Sequence, residues 1–369
     1  MDTITLLLAG DVMTGRGIDQ VMPEPLPPVL YERWVKDARE YVRLAERVHG
    51  EIKAPVTVAY IWGDALTEMD RLRPDARIVN LETAVTLGSK PWPGKGIRYR
   101  MNPAHLRCLA AARIDACSLA NNHVLDWSEQ GLNDTLQALR RAGIASAGAG
   151  ANIQQAQAPA ILYQPRGARL LLFALATPSS GVPPDWQAQA QRAGIDFLPR
   201  LDEQAAQRLA DRVRTHRRAG DIAIISMHWG ENWVDEIPSE QRWFARRLID
   251  LGAADVVHGH SSHHPLPMEV IEGKLVLHGC GDLINDYEGI TPHTAHRADL
   301  VCLYGVTLDR ATGRLVRLEI VPLQLRRFQL KHPPTALRQW LHHVLADGCE
   351  AMGTRIEVDS QGRWNVHWD

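Results

Sequence analysis

The chain has too few cysteines, in the wrong spacing, for a disulfide framework or a thiolate metal centre. Five occur among 369 residues, at Cys108, Cys117, Cys280, Cys302 and Cys349. The number is odd and no CxxC pair exists, which reads as free thiols in a reducing compartment. No apolar run reaches the length of a membrane span. The N-terminal segment lacks the basic flank and apolar length of a secretory signal, so a cytoplasmic protein with no membrane anchor is expected. An excess of either charge is also missing: 41 Lys plus Arg face 43 Asp plus Glu, for a net charge of -2. Nothing basic argues for a nucleic-acid partner, and no acidic tail suggests disorder. Internal repeats and low-complexity segments are absent. What the chain does have is 45% hydrophobic residues, enough at this length to bury a large core in one or two compact domains.

Short apolar runs that stop at a polar break are the main local signal. Residues 4–9 end at Gly10-Asp11, the pattern of a strand covered on both faces. Further strands are expected at 77–79, 115–119, 169–174, 222–227, 255–257 and 274–278, with antiparallel strands at 300–308 and 314–322. Spacing predicts helices over 31–49, 102–112, 128–142, 202–218, 240–251 and 334–347. Strand–helix alternation to about residue 280 implies an α/β core. The expected organisation is a main domain over 1–325, with a helical and extended extension over 326–369 packed on it. Residues 90–96 (Lys-Pro-Trp-Pro-Gly-Lys-Gly) form a loop, which reads equally as a lid over a site or as ordinary surface.

The polar breaks carry the candidate chemistry. Asp11 precedes Thr14-Gly15-Arg16-Gly17, whose glycines allow close backbone approach to a ligand; a turn or helix cap is the plainer role. Glu82, in Asn80-Leu81-Glu82, could likewise cap a turn. His123 comes after Asn121 and Asn122, whose amide oxygens are weak ligands. Another run ends at Met227-His228-Trp229-Gly230. Residues 258–264 hold four histidines, His258, His260, His263 and His264, and Pro265 and Pro267 restrict the backbone after them. That density favours ligation or proton transfer over a solvated surface. Neutral imidazole suits Zn, Mn or Fe, and carboxylates suit harder ions such as Mg. A later strand exit offers Asp282, with His293, His296 and Arg297 beyond it. Candidate substrate contacts are Arg98, Arg100, Trp229, Asp282 and Arg297.

Taken in order, these segments resemble a known family. Gly10-Asp11-Val12-Met13, Asn80-Leu81-Glu82, the run 118–126, His228-Trp229-Gly230, Gly259-His260-Ser261-Ser262-His263 and Gly279-Cys280-Gly281-Asp282 are similar to the motifs of the capsule and poly-γ-glutamate synthesis CapA family, over about residues 3–309. That family is similar to the calcineurin-like metallophosphoesterases. The resemblance implies a four-layer α/β/β/α sandwich with the site at the strand ends. It also implies that Glu82, Asn122, His228 and His260 hold one divalent ion (Mn, Zn, Fe or Mg). A second ion would use Asp11, a histidine two residues on, the bridging Glu82 and His263. Met13 stands at that histidine's place, and a thioether is a poor ligand for hard ions, so one ion is expected rather than two. His123 resembles the general acid that protonates a leaving oxygen.

The expected function is a metal-dependent hydrolase or transferase acting on a phosphoester or on a glutamate-like or peptide substrate. One alternative is a peptide or amino-acid Cα epimerase using Asp11, His123 and His296 as acid and base. Another is a non-catalytic component of polymer assembly. The partner is expected to be a small molecule or a peptide, and the sequence is silent on oligomeric state.

Overall fold

The computed structural model describes residues 2–164, 167–290 and 296–369. His293 lies outside them. Two mixed sheets dominate. The larger has ten strands. Its path runs Thr354–Val358, Trp364–Trp368, Leu315–Arg326, Leu300–Asp309, Thr3–Val12, Ala76–Leu81, Ala116–Ser118, Ala145–Ala147, with Asp282–Ile284 beside Thr3–Val12 and Gln329–Lys331 beside Leu315–Arg326. The smaller has six, in the order Met268–Ile271, Lys274–Leu277, Val256–His260, Ile222–His228, Arg169–Ala176, Ala160–Tyr163.

Side-chain alternation along the smaller sheet explains how it packs. Leu171, Phe173, Leu175, Ala223, Ile225, Met227 and Val257 point one way, into a core with helices Glu203–His216 and Ser239–Asp250. Their neighbours Leu170, Leu172, Ala174, Ile222, Ile224 and Val256 point the other way, as the two-residue strand period requires. These join one continuous core with Leu6, Leu8, Ile78 and Cys117 of the larger sheet. The two sheets therefore share one apolar core, and both present parallel strand ends along a common edge.

Local chemistry sets the helix boundaries. Asp202 accepts a hydrogen bond from the Ala205 amide (2.8 Å) and starts Glu203–His216, as an N-cap carboxylate does. Asn102 accepts from the Ala104 amide (2.9 Å), but it opens a 3-10 turn, Pro103–Leu106, and then a short helix, Arg107–Ala111. The helix expected over 31–49 forms only as Arg39–His49. Its expected first turns instead make a tight reversal in which the Leu30 amide donates to the Lys36 carbonyl (2.9 Å). Tyr31 and Trp34 are exposed there, so that stripe has no core to cover. The strand pair Thr354–Val358 and Trp364–Trp368 has no counterpart among the expected strands; it extends the large sheet beyond Leu315–Arg326. Among the described residues no helix is long and apolar enough to cross a membrane.

Two glycines permit the close backbone approaches behind the common edge. A Cβ on Gly10 would lie 1.7 Å from the Gly281 carbonyl oxygen, and one on Gly259 would lie 2.2 Å from that of His278. Both separations are sterically forbidden, so only glycine fits.

Candidate metal centre

Parallel register brings the polar residues to one height. Asp11 sits opposite both Asn80 and Asp282, and His228 sits opposite His260. Glu82 comes directly after the strand Ala76–Leu81. Asn121, Asn122 and His123 lie in the turn after Ala116–Ser118. His263 lies just beyond Val256–His260, at φ 61°. These strand ends thus meet where parallel sheets characteristically present their ligands.

Asn80 ties the carboxylates together. Its Nδ2 donates to Asp11 Oδ1 (2.7 Å) and to Glu82 Oε2 (3.1 Å), while its Oδ1 accepts from Asn121 Nδ2 (3.0 Å). Asp11 Oδ2 accepts from the Ser261 amide (3.1 Å). Asp282 Oδ1 lies 2.7 Å from His263 Nδ1, and Asp282 Oδ2 accepts from Asn285 Nδ2 (2.8 Å).

The imidazoles form a second chain. His228 Nδ1 and His260 Nδ1 are 2.7 Å apart, and His260 Nε2 lies 2.8 Å from Ser226 Oγ. Both nitrogens of His260 therefore have hydrogen-bond partners, with Asp11 Oδ1 3.7 Å from its Nδ1. His123 Nδ1 lies 2.6 Å from Asp126 Oδ2, and its Nε2 is 3.7 Å from Glu82 Oε1. Lys95, from the loop 90–96, pairs with Asp126 and the Asn122 carbonyl and lies 3.0 Å from His123 Nδ1. Through Lys95 that loop reaches the cluster.

Three buried atoms in this otherwise well-bonded cluster have no hydrogen-bond partner among the described residues: Glu82 Oε1, Asn122 Oδ1 and His228 Nε2. Glu82 Oε1 and His228 Nε2 are 3.9 Å apart. Leaving a buried polar atom unpaired costs about 1–3 kcal/mol. Carboxylate oxygen, amide oxygen and imidazole nitrogen are all donors that divalent ions accept, so this set fits such an ion. In the tautomer whose Nδ1–H points at His260 Nδ1, the His228 Nε2 keeps its lone pair, the arrangement typical of a ligating histidine.

Burial dominates the titration of the cluster. It holds Asp11 up at about 7, with Asp282 repelling in the same direction. It also holds Glu82 well above the usual carboxylate range, reinforced by Asp11. It pushes His123 and His258 down to about 4, His264 likewise to about 4, and His228 and His260 well below their usual value. His263 goes the other way. Burial opposes its charge, but Asp282 in contact with it outweighs that and raises it.

Counting protons gives the sign of the resulting pH dependence. Between about pH 6 and 4.5 each depressed histidine is neutral when folded and charged when unfolded, which favours unfolding as acid is added. Each raised carboxyl does the reverse, because the folded form takes up its proton at a higher pH than the unfolded chain does. Within the cluster five such histidines outnumber the raised carboxyls Asp11, Glu82 and Asp282. Elsewhere raised Asp115 and Asp196 are outnumbered by carboxylates that their partners hold low, among them Asp64, Asp221, Glu269 and Asp299, which also lose stability in acid. The unfolded chain therefore binds more protons, and stability drops as the pH drops. Metal-free protein is expected to unfold at lower urea at pH 5 than at pH 6. A midpoint that rises on acidification would contradict this.

The structure gathers Asp11, Glu82, Asn122, His123, His228, His260, His263 and Asp282 in one region. The other candidates fall elsewhere. Trp229 is not a pocket wall: one residue beyond His228, it turns to the opposite face. There it packs in the helix-covered core and donates Nε1–H to the His278 carbonyl (2.8 Å). Arg98 donates to the Trp92 carbonyl (2.7 Å) and lies over Tyr31, Arg100 lies over Trp127 at 3.8 Å, and Arg297 is doubly bonded to Asp299. Each of the three guanidiniums has local partners, and Arg98 keeps a buried Nε with no hydrogen-bond partner among the described residues. His296 stacks on His264 at 4.1 Å and groups with Asp235. Trp233, rather than Trp229, lies against the cluster, stacked on His263 at 5.2 Å. Sequence reasoning missed Asn80, Lys95 and Asp126. Asn80 was detectable, since two residues before Glu82 on a strand means the same face.

A family model described as bacterial capsule synthesis protein PGA_cap matches residues 5–287. The chain belongs to that family. Every gathered residue falls inside the PGA_cap span, and His296 falls outside it. Among PGA_cap relatives, a "probable polyglutamine synthesis accessory protein" of Mycobacterium tuberculosis is 44% identical over 361 residues, 96% of this chain and 93% of that one. The "PGA biosynthesis protein CapA" of Bacillus subtilis is 22% identical over 291 residues, 77% of this chain and 64% of the relative. A crystal structure of a novel phosphatase from Mycoplasma pneumoniae aligns with a TM-score of 0.47 and 13% identity, over 94% of this chain and 100% of that one.

Proposed function

We propose that this PGA_cap protein is a metal-dependent hydrolase or transferase acting on a phosphoester or on an amide-linked, glutamate-like substrate. The observation that carries the reading is the trio of unpaired buried donors, Glu82 Oε1, Asn122 Oδ1 and His228 Nε2. In this reading the sheets form the inner layers of a four-layer sandwich, residues 326–369 are an extension packed on the main domain, and Glu82, Asn122 and His228 hold the ion. A bound divalent ion supplies Lewis-acid polarisation of a substrate oxygen and acidifies water.

The chain's own residues do the rest. Asn80 fixes Asp11 and Glu82 relative to one another. Asp126 orients the His123 ring and leaves Nε2 facing the Glu82 side of the site. Burial keeps that ring neutral near pH 7. An anionic substrate beside Nε2 raises its proton affinity by Coulomb attraction, so proton donation is coupled to substrate binding. Asp11, tied down on both oxygens, is placed to orient the nucleophile.

The printed names of the relatives favour a second reading, an accessory component of polymer synthesis without turnover. One experiment separates these readings. Chelator-stripped protein and protein reconstituted with Mn, Zn, Fe or Mg are screened on phosphodiesters, phosphomonoesters and γ-glutamyl peptides, with parallel incubations in D₂O. Metal-dependent release of phosphate or amine is expected. Inertness of every reconstituted form would leave the accessory role. Deuterium at Cα without release would mean epimerisation.

A further inference from the structure

The cluster contains a second set of convergent donors: Asp11, His263 and Asp282, whose candidate ligand atoms lie within 4.8 Å of one another. We infer that Asp282 takes the place of the histidine absent at Met13, so that Asp11, His263 and Asp282 hold a second divalent cation next to the first. This rests on the proposed metal-dependent function and extends it from one ion to two.

Four observations support the assignment. First, Met13 is buried and turned to another use, with its sulfur 3.5 Å from the Tyr287 hydroxyl. Second, the strand Asp282–Ile284 pairs in parallel with Thr3–Val12 so that Asp282 is the register partner of Asp11, which brings a carboxylate alongside Asp11 from the opposite side to Asn80. The close approach behind it, Gly10 against the Gly281 carbonyl, holds those two strands at that spacing. Third, each oxygen of Asp11 and Asp282 meets one hydrogen-bonding partner, and a carboxylate oxygen has two lone-pair directions, so each retains capacity for an ion. Fourth, Asp11, Glu82 and Asp282 are all fully buried, and a divalent cation would supply the countercharge that lets such carboxyls ionise out of water.

The donor chemistry sets the ion class. With a carboxylate in place of one imidazole, the set is harder than the two carboxylates and two imidazoles that the family resemblance implies for this position. The site should therefore prefer Mn or Mg over Zn. The 2.7 Å between His263 Nδ1 and Asp282 Oδ1 suits a hydrogen bond, and it is also close to the separation of about 3 Å between adjacent ligands of an octahedral ion at about 2.1 Å.

The test is metal stoichiometry, which needs no substrate. Protein reconstituted with Mn and desalted is analysed for bound metal, and its frozen-solution EPR spectrum is recorded. The wild type is expected to retain about two Mn per chain and to show a spin-coupled pair signal. Asp282→Asn and His228→Ala are each expected to retain about one, with uncoupled six-line spectra, each losing a different ion. Introducing Met13→His into Asp282→Asn should restore the second ion. A wild type that binds one ion, uncoupled, overturns this inference while leaving the proposed function standing. A wild type that binds two while Asp282→Asn also binds two removes Asp282 from the ligand set. No bound metal in any form sinks the metal-dependent reading itself. Because the coupled signal is read on the wild type, misfolding of a variant cannot hide the answer.

Discussion

Glu82→Gln is expected to move metal binding and stability in opposite directions. Glutamine keeps the shape and an oxygen for the Asn80 amide, which now donates to Glu82 Oε2 at 3.1 Å. It replaces the unpaired Oε1 with an NH₂ group facing His228 Nε2 at 3.9 Å and His123 Nε2 at 3.7 Å. It also removes a carboxyl whose ionisation burial and Asp11 make costly, since they hold it well above its usual range. Metal-free Glu82→Gln protein should therefore be more stable than the wild type by about 1–3 kcal/mol, the cost of an unsatisfied buried group. Its affinity for the ion should fall by at least about 100-fold, the upper end of what loss of a mere supporting partner does, and metal-dependent turnover should fall with it. Urea titration of the stripped proteins and competition with a chelating dye measure the two effects. A variant both less stable and equally metal-bound would mean that Glu82 is a structural residue.

The second large effect concerns Arg16, whose side chain is buried beside the cluster. Its Nε donates to Asp286 Oδ2 (3.1 Å), a second nitrogen pairs with Asp286 Oδ1, and a third donates to Glu32 Oε1 (3.0 Å) and to the Tyr41 hydroxyl (3.1 Å). Tyr41 and Tyr99 cover the guanidinium at 4.0 and 4.5 Å. Asp286 also accepts from the Gly17 amide (2.9 Å). Asp286→Ala would strand a buried cation and is expected to destabilise the fold by about 3–5 kcal/mol. Removing both charges, as Arg16→Met with Asp286→Leu, should cost less than the sum of the two single changes, because only Glu32 loses its cation and it keeps the Tyr41 hydroxyl as a partner. Additive losses in the double variant would show that the pair is not coupled.

How much of this was legible in the sequence depended on how local each signal is. Continuous apolar runs such as 4–9 and 222–227 mark strands because burial on both faces leaves no room for polar residues. Those strand ends in turn mark Asp11, Glu82, His123 and His228. Trp229 misleads because it is near His228 along the chain, whereas strand parity sends adjacent side chains to opposite faces. Lys95 sits in a loop whose path is set by partners 27 to 31 residues away, which periodicity does not report. The arginines at 98, 100 and 297 look available in the sequence only because their partners, Trp92, Trp127 and Asp299, are assigned by the fold. Asp282 reads as one acidic residue after a glycine-rich exit. Its place beside Asp11 depends on a parallel pairing between residues some 270 positions apart.

That pairing has a bearing on how the molecule comes into being. Thr3–Val12 lies in the middle of the large sheet, yet on one side its neighbours are Asp282–Ile284 and Leu300–Asp309. Thr3–Val12 must wait, with one flank unsatisfied, until partners some 270 residues farther along the chain have been synthesised. Assembly is thus governed by a long-range closure, the situation in which acquisition of structure is slow and an unpaired edge invites association with other chains.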